Sequence, residues 1–199
     1  TRISSYLWSL DGQSLAVAIK GQLQLLTLDG QAQLMTTPFK VIDVYQWLNK
    51  QELLLSIIEK NNKPLQQRKV VLFNINTGTH KVIYLGYSHW AQLDHEQSLY
   101  FTDWNQALYL YKDNKSVIFP PTQGISFLSG FTLKHEQLVL FGQDKVWFYP
   151  FDTHQLSSID MSSEANRIAN LSDLDMTRKR VLFSTFKEAR KDLVMFKRE

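Results

Sequence analysis

The sequence predicts an all-β fold, a β-propeller of about five four-stranded antiparallel blades whose last blade is incomplete. Three observations predict it: short apolar runs bounded by turn residues along the whole chain, a recurring distance between equivalent runs, and the lack of any sustained helical period. The runs are Leu15 to Ile19, Leu23 to Leu28, Leu53 to Ile58, Val70 to Ile75, Leu99 to Thr102, Leu108 to Tyr111, Leu138 to Phe141, Val146 to Phe151, Val181 to Phe183 and Leu193 to Phe196. A helix needs about ten or more residues of 3.6 periodicity. The best candidate, Ser162 to Ala169, is short and polar, so at most a turn or two of helix is expected.

The recurring distance comes from five stretches that align: "WSLDGQSLAVAIKGQLQLLTLDG", "WLNKQELLLSIIEKNNKPLQQRKVVLFNINTG", "LDHEQSLYFTDWNQALYLYKDN", "LKHEQLVLFGQDKVWFYPFDTH" and "LDMTRKRVLFSTFKEARKDLVMFKRE". Each places an apolar residue before a polar turn, then a strand, a second turn and a second strand. With Leu15, Leu53, Leu99, Leu138 and Val181 as one anchor the separations are 38, 46, 39 and 43. With Leu23, Val70, Leu108, Val146 and Leu193 they are 47, 38, 38 and 47. Insertions therefore fall in loops, notably "EKNNKPLQQR" in the second copy.

Two more strands frame each pair. "ISSYLW", "VIDVYQWL", "YSHWAQL" and "ISFLSGFTL" precede it, and "AQLMTT", "HKVIYL", "KSVIFP" and "QLSSID" follow it. Four strands in about 40 residues is the size of a propeller blade. One propeller domain over residues 1–199 is expected, with repeats near 1–38, 39–86, 87–124, 125–166 and 167–199. The fifth copy stops after its third strand; its outer strand would come from residues ahead of Thr1, closing the ring, or that blade edge stays open.

Composition narrows the class. The 199 residues are 44% hydrophobic and 21% charged, an ordinary globular balance. Lys and Arg number 22 against 19 Asp and Glu, a net charge of +3, and the one basic cluster near the C-terminus is interrupted by acids. That pattern reads as a solvated edge rather than a nucleic-acid surface. The absence of cysteine excludes disulfides, thiol nucleophiles and thiolate metal sites. No apolar run reaches the about 18 residues that suggest a membrane helix, and the start at Thr reads as a fragment or processed product.

The first copy carries a family resemblance. Trp8, Ser9, Asp11, Gly12, Leu15 and Ala16 match the TolB-like propeller repeat, also called the WD40-like or PD40 repeat, whose pattern is W-S-P-D-G-x-x-L-A-F followed by a Gly-started strand ending in D-G or D-x-x-G. Leu10 stands for the usual Pro and Val17 for Phe. The second copy keeps Trp47, Leu53 and the ending Asn74 to Gly78; the third keeps Trp90, displaced in spacing, and Asp94. The later copies keep the hydrophobic frame. Such repeats occur in TolB, in propeller domains of prolyl oligopeptidase-like and tricorn-like proteases, and in the C-terminal periplasmic parts of membrane-anchored winged-helix regulators similar to CadC and ToxR. The resemblance implies a non-enzymatic sensor or interaction domain, periplasmic as part of an inner-membrane protein. Its partner would be a protein or a small signal molecule, with self-association, and DNA or membrane would be engaged only through upstream segments. The alternatives are a TolB-like interaction scaffold and a small propeller hydrolase or lyase.

Residue chemistry was searched on its own terms. "HEQ" occurs at His95 to Gln97 and at His135 to Gln137, without the second His of a zinc helix motif, and reads as a solvated turn on each of two adjacent blades. A pH-responsive role is the sharper alternative, since histidine titrates near pH 6.5. "GISFLSG" lacks the nucleophile-elbow spacing and no phosphate-binding glycine loop exists. Asp11, Asp29, Asp94, Asp103, Asp152, Asp173 and Asp175 read as turn residues that bond their own backbone. No catalytic residue, metal site or cofactor is expected. Trp8, Trp47 and Trp90 are expected at comparable positions in the core between blades. Trp104, between Asp103 and Asn105, is expected in a turn as an exposed anchor, and the expected interaction surface is Trp104, His95 and His135.

Overall fold

Consecutive antiparallel meanders make up the chain, because apolar strands of four to nine residues are separated by connections too short for anything but a reversal. The computed structural model describes residues 3–60, 67–119, 122, 125, 128, 130–134, 136–142, 145–160, 168–175, 180–187 and 190–197, the last three ranges by secondary structure and strand register. The first sheet has the order β1 (Ile3–Trp8), β2 (Ser14–Ile19), β3 (Gln22–Thr27) and β4 (Ala32–Met35). β5 (Phe39–Trp47), β6 (Glu52–Glu59), β7 (Arg68–Asn74) and β8 (His80–Leu85) form the second. The third contains β9 (Trp90–Leu93), β10 (Leu99–Thr102), β11 (Leu108–Lys112) and β12 (Lys115–Ile118), and the fourth β13 (Gly130–Lys134), β14 (Gln137–Phe141), β15 (Lys145–Pro150) and β16 (Ser157–Asp160). A three-stranded sheet of β17 (Ile168–Asp175), β18 (Arg180–Lys187) and β19 (Arg190–Lys197) follows.

Turn chemistry sets the reversals. β2 and β3 are joined by Lys20 and Gly21 at φ of 51° and 78°, and β11 and β12 by Asp113 and Asn114 at 51° and 61°. Two left-handed residues in a row form the hairpin turn whose twist matches the strands it joins. Burial then distinguishes the strands. β10 and β14 are buried at every residue, and Leu53, Leu54 and Leu55 of β6 are fully buried, whereas β12 is exposed throughout. Both faces of a second strand are covered, so it reads as an unbroken apolar run rather than an alternation.

By contacts the chain divides into two compact units, Thr1–Trp104 with Leu110–Ser116, and Asn105–Tyr109 with Val117–Glu199. In the first, Ala16, Ala18, Leu23 and Leu25 pack against Phe39, Val41, Val44, Trp47, Leu53, Leu55, Ile57, Val71 and Phe73. Each large side chain buried there contributes about 1.5–3 kcal/mol. Two polar contacts fix the approach: the Trp47 indole donates to the Leu7 carbonyl at 3.2 Å and the Val44 amide donates to Ser5 Oγ at 2.7 Å. β5 departs from regular pairing at Val41/Asp43 and Val44/Gln46. In the second unit Leu138, Val139, Leu140, Phe141, Val146 and Phe148 are buried, and Phe119 meets the Tyr149 ring edge-on at 5.3 Å.

The described residues hold no α-helix, in keeping with the expected turn or two at most; of the helical candidate 162–169, residues 162–167 lie outside them and 168–169 begin β17. Other expectations need correction. Trp8 and Trp47 end the first strands of their sheets, opposite Leu15 and Leu53, but Trp90 begins β9 opposite Thr102, at the other end of the blade. Nor do the three share a core position: Trp47 is 4% exposed and Trp8 is 50% exposed. Asp173 and Asp175 belong to β17 and pair with Leu182 and Arg180, so they are strand rather than turn residues.

Candidate functional site

Two features of the first unit bear on function, at opposite ends of the second and third sheets. The first is an aromatic platform built on the connection between β8 and β9. Its backbone is held at three points: the Gly86 amide donates to the Arg68 carbonyl at 3.0 Å, Ser88 accepts from the Tyr45 hydroxyl through its carbonyl at 2.8 Å, and the His89 amide donates to the Thr102 carbonyl at 2.8 Å. Ser88 is buried, and burial pushes the Tyr45 hydroxyl up to about 12. The loop so anchored carries Tyr87. There its ring stacks on Trp104 with a centroid separation of 3.7 Å and planes 7° apart, and the Arg68 guanidinium lies 4.8 Å from its centroid.

Arg68 is itself held by Asp43 of β5 at 3.9 Å. Burial raises the Asp43 carboxyl above its ordinary range, opposed by the charges of Arg68 and His89. Beside the stack, Tyr84 packs on Phe101 at 4.5 Å and on Tyr111 at 5.2 Å. Burial raises the hydroxyls of both Tyr84 and Tyr87, and the carboxylate of Asp103 adds to each shift. Gly86 makes the Tyr84 position available, since a Cβ at 86 would lie 2.7 Å from the Tyr84 hydroxyl oxygen. The result is an ordered series of Asp43, Arg68, Tyr87 and Trp104, with Trp104 72% exposed at the outer end.

The second feature is a cleft of about 310 Å³ between the turn after β5 and the turn between β9 and β10, with Gln46, Glu52, Asp94, His95 and Gln97 on its walls. Gln46 closes its floor. The side-chain amide accepts from the Leu93 amide at 2.7 Å and donates to the Leu93 carbonyl at 3.1 Å, imitating a strand partner. Asp94 spends one carboxylate oxygen on the amides of Glu96 and Ser98, at 2.9 and 2.8 Å, and Glu96 pairs with Lys112 at 2.8 Å. Asp11 likewise accepts from the Ser9 hydroxyl at 2.8 Å and the Gln13 amide at 3.2 Å, bonds that hold its carboxyl below the ordinary range. These aspartates fasten turns.

Of the residues expected to form one surface, Trp104 lies in the turn after β10 and His95, exposed, in the turn before it. β10 separates them, so they do not meet. His135 lies outside the described residues. The two "HEQ" tripeptides also occupy different turns: Leu93 pairs with Leu99 across five residues, whereas Leu133 pairs with Leu138 and Lys134 already with Gln137. The serine of "LDHEQSL", absent from "LKHEQL", accounts for the extra residue. Sequence reasoning missed Tyr87, Arg68, Asp43 and Gln46. The glycine of "YLGYSHW" signals only the neighbouring Tyr84, whose ring occupies the space a Cβ at 86 would take; no local signal marks Tyr87. Among the described residues no group of three or more metal-ligating side chains comes together.

No protein-family model and no curated protein matches the sequence. Solved structures match over nearly its whole length. A structure described as TolB from Agrobacterium tumefaciens superposes with a TM-score of 0.67 at 13% identity, covering 98% of this chain and 77% of that one. The fold is a β-propeller. A chain of the nidogen/laminin complex gives a TM-score of 0.63 at 13% identity, over 91% of this chain and 73% of that one. The tricorn protease gives 0.58 at 9% identity over 98% of this chain, which spans only 27% of the protease. Similarity at these identities extends to the propeller fold alone.

Proposed function

We propose that this chain is a non-catalytic interaction propeller, and that it serves as the periplasmic signal-sensing part of a membrane-anchored transcriptional regulator. The observation that supports a binding role is the Trp104–Tyr87 stack. A tryptophan left 72% exposed and stacked on Tyr87, whose own loop is held at three points, is an amphipathic anchor that loses little conformational freedom when a partner covers it. The partner is a protein or a small signal molecule presenting a flat or aliphatic group to the free face of the indole. The tricorn protease shares the fold, and the nidogen neighbour is part of a protein complex; the second precedent agrees with a surface used for contact.

The regulator reading rests on the resemblance of Trp8 to Ala16 to repeats found in such proteins. Its test is the encoding reading frame. A winged-helix segment followed by about 20 apolar residues upstream supports it; a signal peptide alone replaces it with a TolB-like scaffold. Contact through Trp104 is tested by placing a photo-crosslinking amino acid at position 104 in the intact protein in its own cells, with position 85 as the control. A discrete adduct at 104 that is lost in Tyr87→Ala supports the platform, and equal labelling from both positions refutes it.

A further inference from the structure

The cleft of about 310 Å³ between the β5–β6 turn and the β9–β10 turn has walls that are set before anything enters it. On one side the Leu48 amide donates to the Glu52 carbonyl at 2.9 Å, and Asn49 Oδ1 accepts from the Gln51 amide at 2.8 Å. On the other the Asp94 amide donates to the Ser98 carbonyl at 3.0 Å, and the Gln97 amide, at a residue with φ of 65°, donates to the Asp94 carbonyl at 3.1 Å. Gln46 ties the two sides together through its bonds to Leu93. All the wall residues belong to the first unit, and a cleft held in this way needs little reorganisation to bind.

Its hydrogen-bonding capacity is one-sided. The amides of Leu93, Glu96, Gln97 and Ser98 are consumed within the walls, and the side-chain amides of Gln46 and Asn49 donate to the Leu93 carbonyl and to Glu52 Oε2, the second at 2.7 Å. Acceptors remain. Among the described residues Asp94 uses only Oδ1, for both amides, and Glu52 uses only Oε2, so each half-buried carboxylate keeps an oxygen on its own wall. No lysine or arginine lines the cleft. Lys50, next to Asn49, is committed to Asp11 at 3.3 Å, and Lys112 to Glu96 at 2.8 Å. Leu48, Leu72 and Leu93 supply the apolar part of the walls.

We propose that this cleft receives the guanidinium of an arginine side chain presented by a partner protein. An acceptor-rich cleft with a carboxylate on each wall and no resident cation favours a positive group carrying several N–H donors over an anion or a neutral acceptor. Arginine meets these walls better than lysine. Its planar fork reaches acceptors in more than one direction, its charge is weakly hydrated, and its methylene stem packs on leucine. Bonds from a guanidinium to a carboxylate are also among the stronger ones in water. The volume, at the lower end of the about 300–1,000 Å³ of ligand pockets, admits one side chain rather than a larger molecule. Arginine is among the side chains that most often anchor protein interfaces. The site is independent of Trp104, which lies beyond the other end of β10.

Titration of the isotope-labelled 199-residue chain with N-acetylarginine amide, followed by amide NMR shifts, tests the proposal. Saturable shifts in the millimolar range are expected at the amides of Leu93, Glu96 and Gln97, with N-acetyllysine amide binding more weakly and N-acetylglycine amide causing none. Glu52→Gln keeps an acceptor for Asn49 but replaces the spare oxygen by a donor, and His95→Lys adds a cation at an exposed wall position. Each should weaken binding at least about tenfold. Asp29→Asn, at an exposed turn of the first sheet, leaves it unchanged. Unshifted resonances elsewhere confirm that each variant folds. Free arginine, whose own carboxylate meets those of Glu52 and Asp94, should bind no better than the capped form. Tighter binding of free arginine overturns the proposal by making the occupant an amino acid rather than a protein side chain. So does the absence of saturable shifts, equal binding of the capped lysine, or binding indifferent to both Glu52→Gln and His95→Lys.

Discussion

Gly86→Ala tests the construction of the platform most directly. At Gly86 φ is +154°, a region that residues with a Cβ rarely adopt, and the added carbon would lie 2.7 Å from the Tyr84 hydroxyl oxygen and 2.8 Å from Cε1 and Cζ. The ring can escape by rotating, but it then leaves Phe101 and Tyr111. Backbone strain costs about 1–3 kcal/mol, and each of the two lost aromatic pairs about 0.5–1.5 kcal/mol, so the variant should be destabilised by about 2–6 kcal/mol in urea unfolding. A double-mutant cycle separates the two contributions. In a Tyr84→Ala background the clash is gone and only the strain remains, so the double variant should be more stable than the sum of the singles predicts, by the two aromatic pairs, about 1–3 kcal/mol. Additivity within about 0.5 kcal/mol would refute the claim that Gly86 is required by the Tyr84 ring.

Tyr45 predicts an alkaline response. Its hydroxyl is pushed up to about 12 by burial from an ordinary 10.0; below pH 10.0 neither state ionises, and between these values the unfolded chain loses a proton the folded chain keeps. Stability therefore falls as pH rises through that interval, by about 2–3 kcal/mol in full, and Tyr45→Phe should flatten the decline seen in urea midpoints measured from about pH 8 to about pH 11. Ser5→Ala removes the acceptor of the Val44 amide at 2.7 Å and should cost about 1–3 kcal/mol, with Ser5→Thr restoring most of it in the same assay. Gln46→Ala removes both bonds to Leu93 and should speed hydrogen exchange at the Leu93 amide while leaving exchange at buried Ala16 unchanged.

Strand identity was legible because a blade imposes two readable patterns. Second strands are covered on both faces and appear as runs such as "ELLLSIIE" and "QLVLF", while the Asp-Gly, Lys-Gly and Asp-Asn reversals mark where they turn. Each predicted run accordingly lies in an observed strand and none reaches more than one residue beyond it, although Val181 to Phe183 stops four residues short of the end of β18 and Leu193 starts three residues into β19. Equivalence of the tryptophans was not legible, since "YSHWAQL" begins its strand at Trp90 whereas "ISSYLW" ends at Trp8; one-residue differences in connection length decide which end of a strand an aromatic occupies. Exposure of Trp8 was equally hidden. Alternation states that Tyr6 and Trp8 share a face and Leu7 takes the other, but not which of the two meets a neighbour. The platform escaped for a different reason: Asp43, Arg68, Tyr87 and Trp104 come from four separate stretches of chain, and the groups that fix Tyr87 are mostly backbone carbonyls and amides.

The two exposed aromatic features have different physical origins, and that makes their roles separable. Tyr6 and Trp8 project because a regular strand must send alternate residues to each face, so their exposure belongs to the sheet and persists in any variant that keeps β1 paired to β2. Trp104 projects because a loop is pinned beneath it, and its orientation depends on Tyr87, Arg68 and Gly86 rather than on strand pairing. Tyr87→Ala should therefore remove crosslinks from a photo-crosslinking residue at position 104 in cells while leaving the pairing of β1 with β2 intact. Trp8→Lys should leave the Tyr87 ring stacked, observable as retained ring-current shifts of the Trp104 indole protons. Loss of those shifts in Trp8→Lys would refute the separation, because the stack would then depend on β1 as well as on the loop beneath it.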